Sequence, residues 1–305
     1  MRESRIEHVR MLLQRQWDRY GHEAPLEGLA LSVADAPSGL LHTVYRTSFC
    51  GVLQGAKLSL LGDRVFRYDT GKCLIASMDL PITAQIVEAS RERPYMAFSL
   101  AIDPAMVADL LLEDAEMEAA EPNLTTMAVC ELDADLLDPL ARLFALLDRP
   151  RDLAVLAPLI RREMVWRLLN GQHGAILRQV GLADSRMARI ARAVAWIRDH
   201  YAEPLRVPDL AALAGMSPAS FHRHFRAATA MTPIQFQKQI RLQAARRMLL
   251  ADGGEVAAIG YSIGYESPSQ FNRDYRRLFG EPPGRDGVAM REGLRTAMEL
   301  SGQAG

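Results

Sequence analysis

The fold of the C-terminal third is decided by two stretches of sequence, 207-VPDLAALAGMSPASFHRHFRAATAMTPIQFQKQIRLQAARRMLL-250 and 256-VAAIGYSIGYESPSQFNRDYRRLFGEPPGRD-286. Both show the same pattern: a short helical segment ends at Gly215 or Gly264, a Ser-Pro pair follows, and two aromatic residues come next at i, i+4 spacing. Glycine permits a tight turn, serine caps the following helix, and proline suits the first helical position. The pattern therefore predicts a helix-turn-helix that occurs twice.

The two predicted copies cover about 207–228 and 256–279. In the second helix of each copy, here called the recognition helix, the aromatic pairs Phe221/Phe225 and Phe271/Tyr275 are expected to pack on the first helix. The opposite face stays free to enter a major groove, where Arg bonds guanine, Asn and Gln bond adenine, and Ser and His are more permissive. Residues with this chemistry on that face are Ser220, His222, Arg223, Ser269, Gln270, Asn272 and Arg273.

Helices account for nearly all of this third of the chain. We predict them at 186–201, 207–214, 218–229, 233–250, 255–262 and 268–279, with Asp252-Gly253-Gly254 ending the fourth. The helix at 233–250 would be about 27 Å long, close to the roughly 34 Å of one DNA turn. A rod of this length could place two recognition helices in successive major grooves.

The charge distribution supports a polyanionic partner. Residues 185–292 carry 16 Lys and Arg against 10 Asp and Glu, a net +6, whereas residues 1–184 carry 19 against 26, a net −7. The composition, 49% apolar and 24% charged, excludes a disordered chain. No apolar run approaches the roughly 20 residues of a membrane span, and the charged start is no signal peptide, so we expect a cytoplasmic protein without a membrane partner.

The N-terminal part has a different pattern of apolar and turn-forming residues. A helical stripe over 4–20 is followed, from about Leu29 to Leu100, by short apolar or alternating runs separated by turn signals, which predict a β-sandwich or small barrel. Gly62-Asp63 is expected to turn a hairpin. Further helices are predicted from Pro104 and over 135–148 and 152–170, and a last strand around residue 125.

The domain organisation follows from these changes in residue pattern along the chain. We expect an effector-sensing or dimerisation domain over 1–170, a linker over 171–185 whose Asp184 or Ser185 caps the next helix, a DNA-binding domain over 186–292, and a tail over 293–305. The apolar stripe of 152–170 covers more than one face. It is either buried inside the domain or packed on a second copy, which leaves a homodimer open.

The quoted C-terminal stretches strongly resemble the DNA-binding domain of AraC/XylS-type bacterial transcription regulators. The most specific part of the resemblance is Gly264-Tyr265, Ser267, Phe271, Arg273, Tyr275, Gly280 and Pro283. It implies that Ala219, Ser220, His222 and Arg223 face bases in the first copy and Ser269, Gln270, Asn272 and Arg273 in the second; Arg226 and Arg276 complete the expected DNA contacts. Ala219 stands where many relatives have a larger side chain, which weakens the readout expected of the first copy.

The run 43-TVYRTSFCGVLQGAKLSLLGDRVFRYDTGKCLIASMDLPITAQI-86 resembles the cupin-like N-terminal domain of one AraC subfamily. The resemblance implies an α+β protein of two domains, with a β-rich cupin-like barrel flanked by helices and an all-α duplicated helix-turn-helix. In relatives such a domain binds a small effector or mediates dimerisation. RNA polymerase would be a further partner if the protein is an activator.

Catalytic residues are not evident. A metal-dependent cupin needs two or three histidines and a carboxylate, yet His42 is the only histidine between residues 29 and 130, so we predict no metal, no cofactor and no enzyme. The three cysteines suit neither a disulfide framework nor a zinc site. Two alternatives stay open: a redox or electrophile sensor acting through Cys50 or Cys73, and a cupin-like enzyme fused to a DNA-binding domain.

Overall fold

A computed structural model describes residues 2–113, 125–182, 185–251 and 254–302, the side chains of 293–302 excepted. The chain divides into two compact units. The first consists of Met1–Val194 and Ala211–Met231, and the second of Ala195–Leu210 and Thr232–Gly305. The predicted cap Asp184 and the predicted helix stop at Asp252-Gly253 lie outside the described residues.

Among the described residues, nine strands form two antiparallel sheets in the first unit. The strands are β1 (Leu29–Ala34), β2 (Leu41–Tyr45), β3 (Ser48–Gln54), β4 (Ala56–Leu61), β5 (Arg64–Asp69), β6 (Lys72–Ala76), β7 (Leu80–Glu88), β8 (Tyr95–Ala101) and β9 (Met127–Glu131). The first sheet has the order β1-β8-β3-β6-β9 and the second β2-β7-β4-β5. The predicted β-rich domain is confirmed, and its first strand begins at Leu29, where the predicted β region begins.

One face of the first sheet packs on helices. The helices of the sensor part are α1 (Arg2–Tyr20), α2 (Pro104–Glu113), α3 (Ala134–Leu146), α4 (Pro150–Asn170) and α5 (Gly174–Gly181). Phe98 of β8 lies edge to face with Phe144 of α3, with ring centroids 5.7 Å apart. Gly51 on β3 makes room for this ring, since a Cβ there would lie 2.4 Å from it. Burying each such ring stabilises the domain by about 1.5–3 kcal/mol.

The hairpin of β4 and β5 matches its prediction. Leu61 pairs with Arg64, so Gly62 and Asp63 form a two-residue turn. Gly62 has a φ of +61°, a left-handed conformation that the turn requires and glycine adopts without strain.

The C-terminal helices follow the sequence closely. They are α6 (Arg186–Asp199), α7 (Val207–Leu213), α8 (Pro218–Thr229), α9 (Pro233–Ala251), α10 (Val256–Ser262), α11 (Pro268–Phe279) and α12 (Pro283–Gly302). The predicted C-terminal helical region is confirmed, and none of the described helices has the length and apolar character to span a membrane.

Two helices were not predicted. Helix α5 occupies most of the expected linker, and α12 continues into the expected tail. The glycines in α12, such as Gly284 and Gly287, lower its intrinsic helix propensity. Packing overrides this propensity, because α12 contacts α9 and α11.

Candidate functional site

The first recognition helix, α8, begins as the sequence predicts. The Ser217 hydroxyl accepts a hydrogen bond from the backbone N–H of Ser220, and Pro218 occupies the first turn. Phe221 and Phe225 are fully buried, with ring centroids 5.4 Å apart. Of the predicted DNA contacts on this helix, Ser220 is half-buried and the other four are exposed; these are Ala219, His222, Arg223 and Arg226.

A basic concave surface adjoins the start of α8. It is lined by Arg186 and Arg189 of α6 together with Ser217, Ser220 and Arg223. Guanidinium groups beside a helix N-terminus attract anions through their charge and the helix dipole. Arg186 and Arg189 were not predicted as DNA contacts, because they precede the helix-turn-helix by about twenty residues.

His224 also lines this concave surface, but unlike the exposed His222 and Arg223 on the same helix it is buried. Its side chain is buried and its Nδ1 has no hydrogen-bond partner among the described residues. Burial, reinforced by the positive charges of Arg186 and Arg223, lowers the pKa of His224. The ring is therefore held neutral and acts as a core residue.

The second recognition helix, α11, divides into two faces. Phe271, Asp274 and Tyr275 are buried, and the Phe271 and Tyr275 rings lie 5.6 Å apart. Phe271 also packs on α10, where a Cβ on Gly260 would meet its ring at 3.0 Å. The predicted contacts lie on the other face: Ser269, Gln270, Arg273 and Arg276 are exposed and Asn272 is half-buried.

Two details of α11 differ from expectation. Ser267 precedes Pro268 as predicted, but its hydroxyl forms no cap hydrogen bond to the described residues of the helix, so the predicted capping by Ser267 is wrong. Its backbone is extended, at φ −134° and ψ 120°. The Asn272 amide donates to the backbone oxygen of Pro268 over 2.9 Å, which engages one of the donors expected to read adenine.

The turn before α11 is held by an arginine. Gly264 has a φ of +88°, and a Cβ there would lie 2.1 Å from the backbone oxygen of Ala202, so only glycine fits. The Arg241 guanidinium donates to the backbone oxygens of Tyr201 and Gly264 over 2.6 and 2.8 Å. Arg241 thus has a structural role in the second helix-turn-helix.

Within the first unit, the C-terminal end of α8 contacts the β-domain. The Arg64 guanidinium, next to the β4–β5 turn, donates to the backbone oxygen of Ala227 over 2.8 Å. The Thr126 hydroxyl, just before β9, donates to that of Ala228 over 2.7 Å. The last carbonyls of a helix have no partner within the helix, so both contacts satisfy groups that α8 leaves open.

The β4–β5 turn also packs closely against Ala230, the residue that directly follows α8. Ala230 adopts a left-handed conformation with φ +57°. A Cβ on Gly62 would lie 2.8 Å from the Cβ of Ala230. These contacts join residues more than one hundred positions apart in sequence, and no local signal predicts them.

The cysteines lie in different environments. Cys73 and Cys130 are directly opposite on β6 and β9, and the Cys73 thiol donates to the Cys130 backbone oxygen over 3.4 Å. The hydrogen bond with Cys130 and burial raise the pKa of Cys73, so its thiol stays protonated and unreactive. Cys50 is half-exposed and donates to the Ser99 hydroxyl over 3.2 Å. The described residues contain no group of three or more side chains that could hold a metal.

The two parts of the chain match known families separately. Residues 25–176 match the family described as the AraC-type transcriptional regulator N-terminus, and residues 210–286 match a helix-turn-helix domain family. The chain belongs to the AraC/XylS family of transcriptional regulators. Its two helix-turn-helix motifs and its β-domain thus correspond to the two parts of an AraC-type regulator.

Relatives with known roles match over about a third of the chain. The HTH-type transcriptional activator RhaS of Klebsiella pneumoniae is 29% identical over 121 residues, which cover 37% of this chain and 44% of RhaS. RhaS of Escherichia fergusonii is 32% identical over 96 residues, 32% of this chain and 34% of RhaS. The chain therefore matches less than half the length of these activators.

A solved structure shares the fold over most of the chain. ToxT of Vibrio cholerae, crystallised with a bound unsaturated fatty acid, superposes with a TM-score of 0.59 at 9% sequence identity. The match covers 87% of this chain and 96% of ToxT. At this identity the similarity establishes the AraC-type fold alone.

Proposed function

We propose that this protein is a sequence-specific DNA-binding transcription regulator of bacteria, gated by a small molecule bound in its β-domain. The observation that carries the proposal is the pair of recognition helices, each with a buried aromatic face and an exposed polar and basic face. The domain boundaries that we propose are those predicted from the sequence. They give a sensing domain over 1–170, a linker over 171–185, a DNA-binding domain over 186–292 and a tail over 293–305.

The base-facing residues in this proposal are those that the sequence indicated. They are Ala219, Ser220, His222 and Arg223 on α8 and Ser269, Gln270, Asn272 and Arg273 on α11. Arg226 and Arg276 lie further along the same helices, and we assign them, with Arg186 and Arg189, to the phosphate backbone. Phosphate contacts release counterions, so the DNA affinity should fall steeply with salt concentration.

The proposed route from effector to DNA runs through the β4–β5 hairpin. Its turn contacts the C-terminal end of α8 through Arg64 and Gly62, and its strands form part of the β-domain interior. A ligand that shifts this hairpin would change how firmly α8 is held. Effector binding and DNA binding would then be thermodynamically linked.

A second copy of the chain and RNA polymerase are further proposed partners. Val155, Leu156, Leu159 and Trp166 project from α4 as exposed apolar side chains, while Ile160 and Met164 on the same helix are buried. The apolar stripe of α4 therefore has one side buried inside the domain and one side exposed. We assign the exposed side to a homodimer interface. We place the regulator in the cytoplasm, where bacterial DNA lies, and RNA polymerase would be its partner at activated promoters.

We propose no enzymatic activity. In the redox alternative, Cys50 is the stronger candidate for a sensor thiol, because Cys73 is buried and protonated. A Cys50→Ser variant that keeps its response to the effector would exclude this alternative, and a Cys73→Ser variant serves as its control.

DNA binding on genomic fragments tests the proposal. The DNA beside the protein's own gene is compared with random DNA of equal length by fluorescence anisotropy, at several salt concentrations and with a panel of aldehydes, aromatics and small acids. We expect tighter binding to a specific fragment and a shift with one compound class. Equal affinity for specific and random DNA would refute sequence-specific regulation.

A further inference from the structure

The internal repeat of the C-terminal third extends beyond the recognition helices. Helix α8 ends at Thr229 and α9 begins at Pro233, while α11 ends at Phe279 and α12 begins at Pro283. The two copies are therefore offset by 50 residues both at the end of the recognition helix and at the start of the helix that follows it. Helix α12 is thus the counterpart, in the second copy, of the first turns of α9.

Two equivalent positions of the copies differ in their chemistry. In the first copy they hold Phe225 and Phe236, both fully buried. In the second copy they hold Tyr275, which is fully buried, and Asp286, which is only 9% exposed. A buried carboxylate is costly unless it is paired, and the first copy has apolar rings at both positions. The second copy therefore has a polar group that helix packing alone does not require.

Both oxygens of the Asp286 carboxylate are hydrogen-bonded. The Arg246 guanidinium of α9 donates from Nε to Oδ2 over 2.8 Å and from Nη2 to Oδ1 over 3.0 Å. The Tyr275 hydroxyl of α11 donates to Oδ2 over 2.7 Å. Burial, reinforced by the hydrogen bond to Asp286, raises the pKa of Tyr275, so its hydroxyl stays a neutral donor. We call Arg246, Tyr275 and Asp286 the Asp286 triad; it joins α9, α11 and α12.

The side chains around the triad restrict its movement. The Arg246 guanidinium lies over the Phe279 ring, 4.7 Å from its centroid, and the Phe279 and Tyr275 rings are 4.4 Å apart. Helix α12 approaches α9 closely, because a Cβ on Gly287 would lie 3.3 Å from the Cβ of Leu249. A two-pronged arginine–carboxylate pair is also directional, since both of its bonds must be in line. The triad therefore permits one arrangement of the three helices.

The orientation of α11 determines which base edges its exposed side chains reach. We propose that Asp286 is a positioning residue for base reading: through Tyr275 it fixes the rotation of the second recognition helix relative to α9. A fully satisfied buried polar network specifies a unique packing, and side chains that bind need supports whose own positions are fixed. This inference rests on the proposed function, since it concerns the base contacts assigned to α11.

Helix α11 keeps a second attachment that does not involve Asp286. The Asp274 carboxylate, buried on α11, pairs with the Lys238 ammonium of α9 over 2.5 Å and with the Arg277 guanidinium over 3.0 Å. When the triad is broken, α11 therefore remains joined to α9. The expected effect of removing Asp286 is a change in the orientation of α11, with the helix still folded.

The experiment measures base preference at each position of the site. Full-length protein is titrated by fluorescence anisotropy with the specific fragment and its single-base variants. Arg273→Ala identifies the positions that α11 reads, and Arg223→Ala those that α8 reads. The test variants are Asp286→Asn and Tyr275→Phe, and the control is Glu281→Gln, which removes the same charge at an exposed position. Circular dichroism and thermal melting verify that each variant is folded at the assay temperature.

We expect Asp286→Asn to reduce the base preference at the positions read by α11 by at least about fivefold and to leave those read by α8 within about twofold of the wild type. Tyr275→Phe should have a smaller effect at the same positions, because the pair of Arg246 with Asp286 remains. Glu281→Gln should keep the wild-type preference at every position. Should Asp286→Asn fail to fold, Tyr275→Phe decides the case.

A folded Asp286→Asn variant with the wild-type preference at the α11 positions would overturn the inference. Equal losses at the positions of α8 and α11 would also overturn it, because they indicate a general loss of stability and not a displaced helix. The proposed function fails separately. It is refuted if the wild type does not distinguish the specific fragment from random DNA, and base reading by α11 is refuted if Arg273→Ala relaxes no position.

Discussion

The hydroxyl of Thr126 donates a hydrogen bond to the backbone oxygen of Ala228, across 2.7 Å and at a place where both residues are inaccessible to solvent. Thr126 belongs to the β-domain, and Ala228 lies in the last turn of the first recognition helix. A buried acceptor left without a partner costs about 1–3 kcal/mol. The β-domain therefore stabilises the end of α8 by completing its hydrogen bonding.

Replacing Thr126 by Val should weaken this connection. The change keeps the shape of the side chain but leaves the Ala228 oxygen unpaired, so we expect the free energy of unfolding to fall by about 1–3 kcal/mol. Chemical denaturation measures this loss. The control is Thr70→Val, because the Thr70 hydroxyl is exposed and its hydrogen bond to Gly55 is long, at 3.5 Å; equal losses in both variants would contradict the assigned role of Thr126.

The fit between the β4–β5 turn and α8 can be tested with a single methyl group. Gly62→Ala places a Cβ 2.8 Å from that of Ala230 and also strains a left-handed backbone. Gly21 has a similar φ of +65°, but a Cβ there would have no neighbouring atom within 4 Å, so Gly21→Ala isolates the backbone strain. We expect Gly62→Ala to lose about 1 kcal/mol more stability than Gly21→Ala and to alter effector-dependent DNA binding. Identical effects of the two variants on stability and DNA binding would show that the contact with Ala230 is unimportant.

On the DNA-binding side, two arginines of α11 should behave differently. Arg273 and Arg276 are both exposed, but we assign Arg273 to a base and Arg276 to a phosphate. Arg273→Ala should lower specific binding by about 1–3 kcal/mol and relax the preference at one base pair, while Arg276→Ala should weaken all sequences evenly and reduce the salt dependence. Binding assays on a set of single-base variants of the site measure both effects. If Arg273→Ala lowers binding to specific and random DNA equally, its role in base reading is refuted.

Sequence predicted those features whose causes are local. The turn at Gly62, the cap at Ser217 and the buried pair Phe271/Tyr275 each depend on residues a few positions apart, and all three occur in the structure. The hydrogen bond from Arg64 to Ala227 joins residues 163 positions apart, so no spacing rule could find it.

The inner-face position of Lys57 on β4, where its ammonium lies 5.5 Å from the centroid of the Tyr45 ring, was not predicted for a related reason. A lysine in an alternating strand is typical of a solvent-facing position, and only the pairing of β4 between β5 and β7 places it on the inner face. The pairing of Cys73 with Cys130 depends in the same way on sheet topology. The sequence could therefore predict the recognition helices, but neither the interior of the β-domain nor its contact with α8.

The buried His224 should make stability depend on pH. Burial, with the nearby Arg186 and Arg223, lowers its pKa in the folded protein below the value of about 6.5 expected in the unfolded chain. The unfolded chain therefore binds more protons, so this contribution to stability is full above about pH 6.5 and is lost as the pH falls through the folded-state pKa. Denaturation between about pH 8 and 5 should show a decline that is smaller in His224→Gln. His222→Gln, at an exposed position on the same helix, is the matched control. A wild-type slope in His224→Gln would mean that other groups cause the acid sensitivity and that the lowered pKa of His224 does not contribute to it.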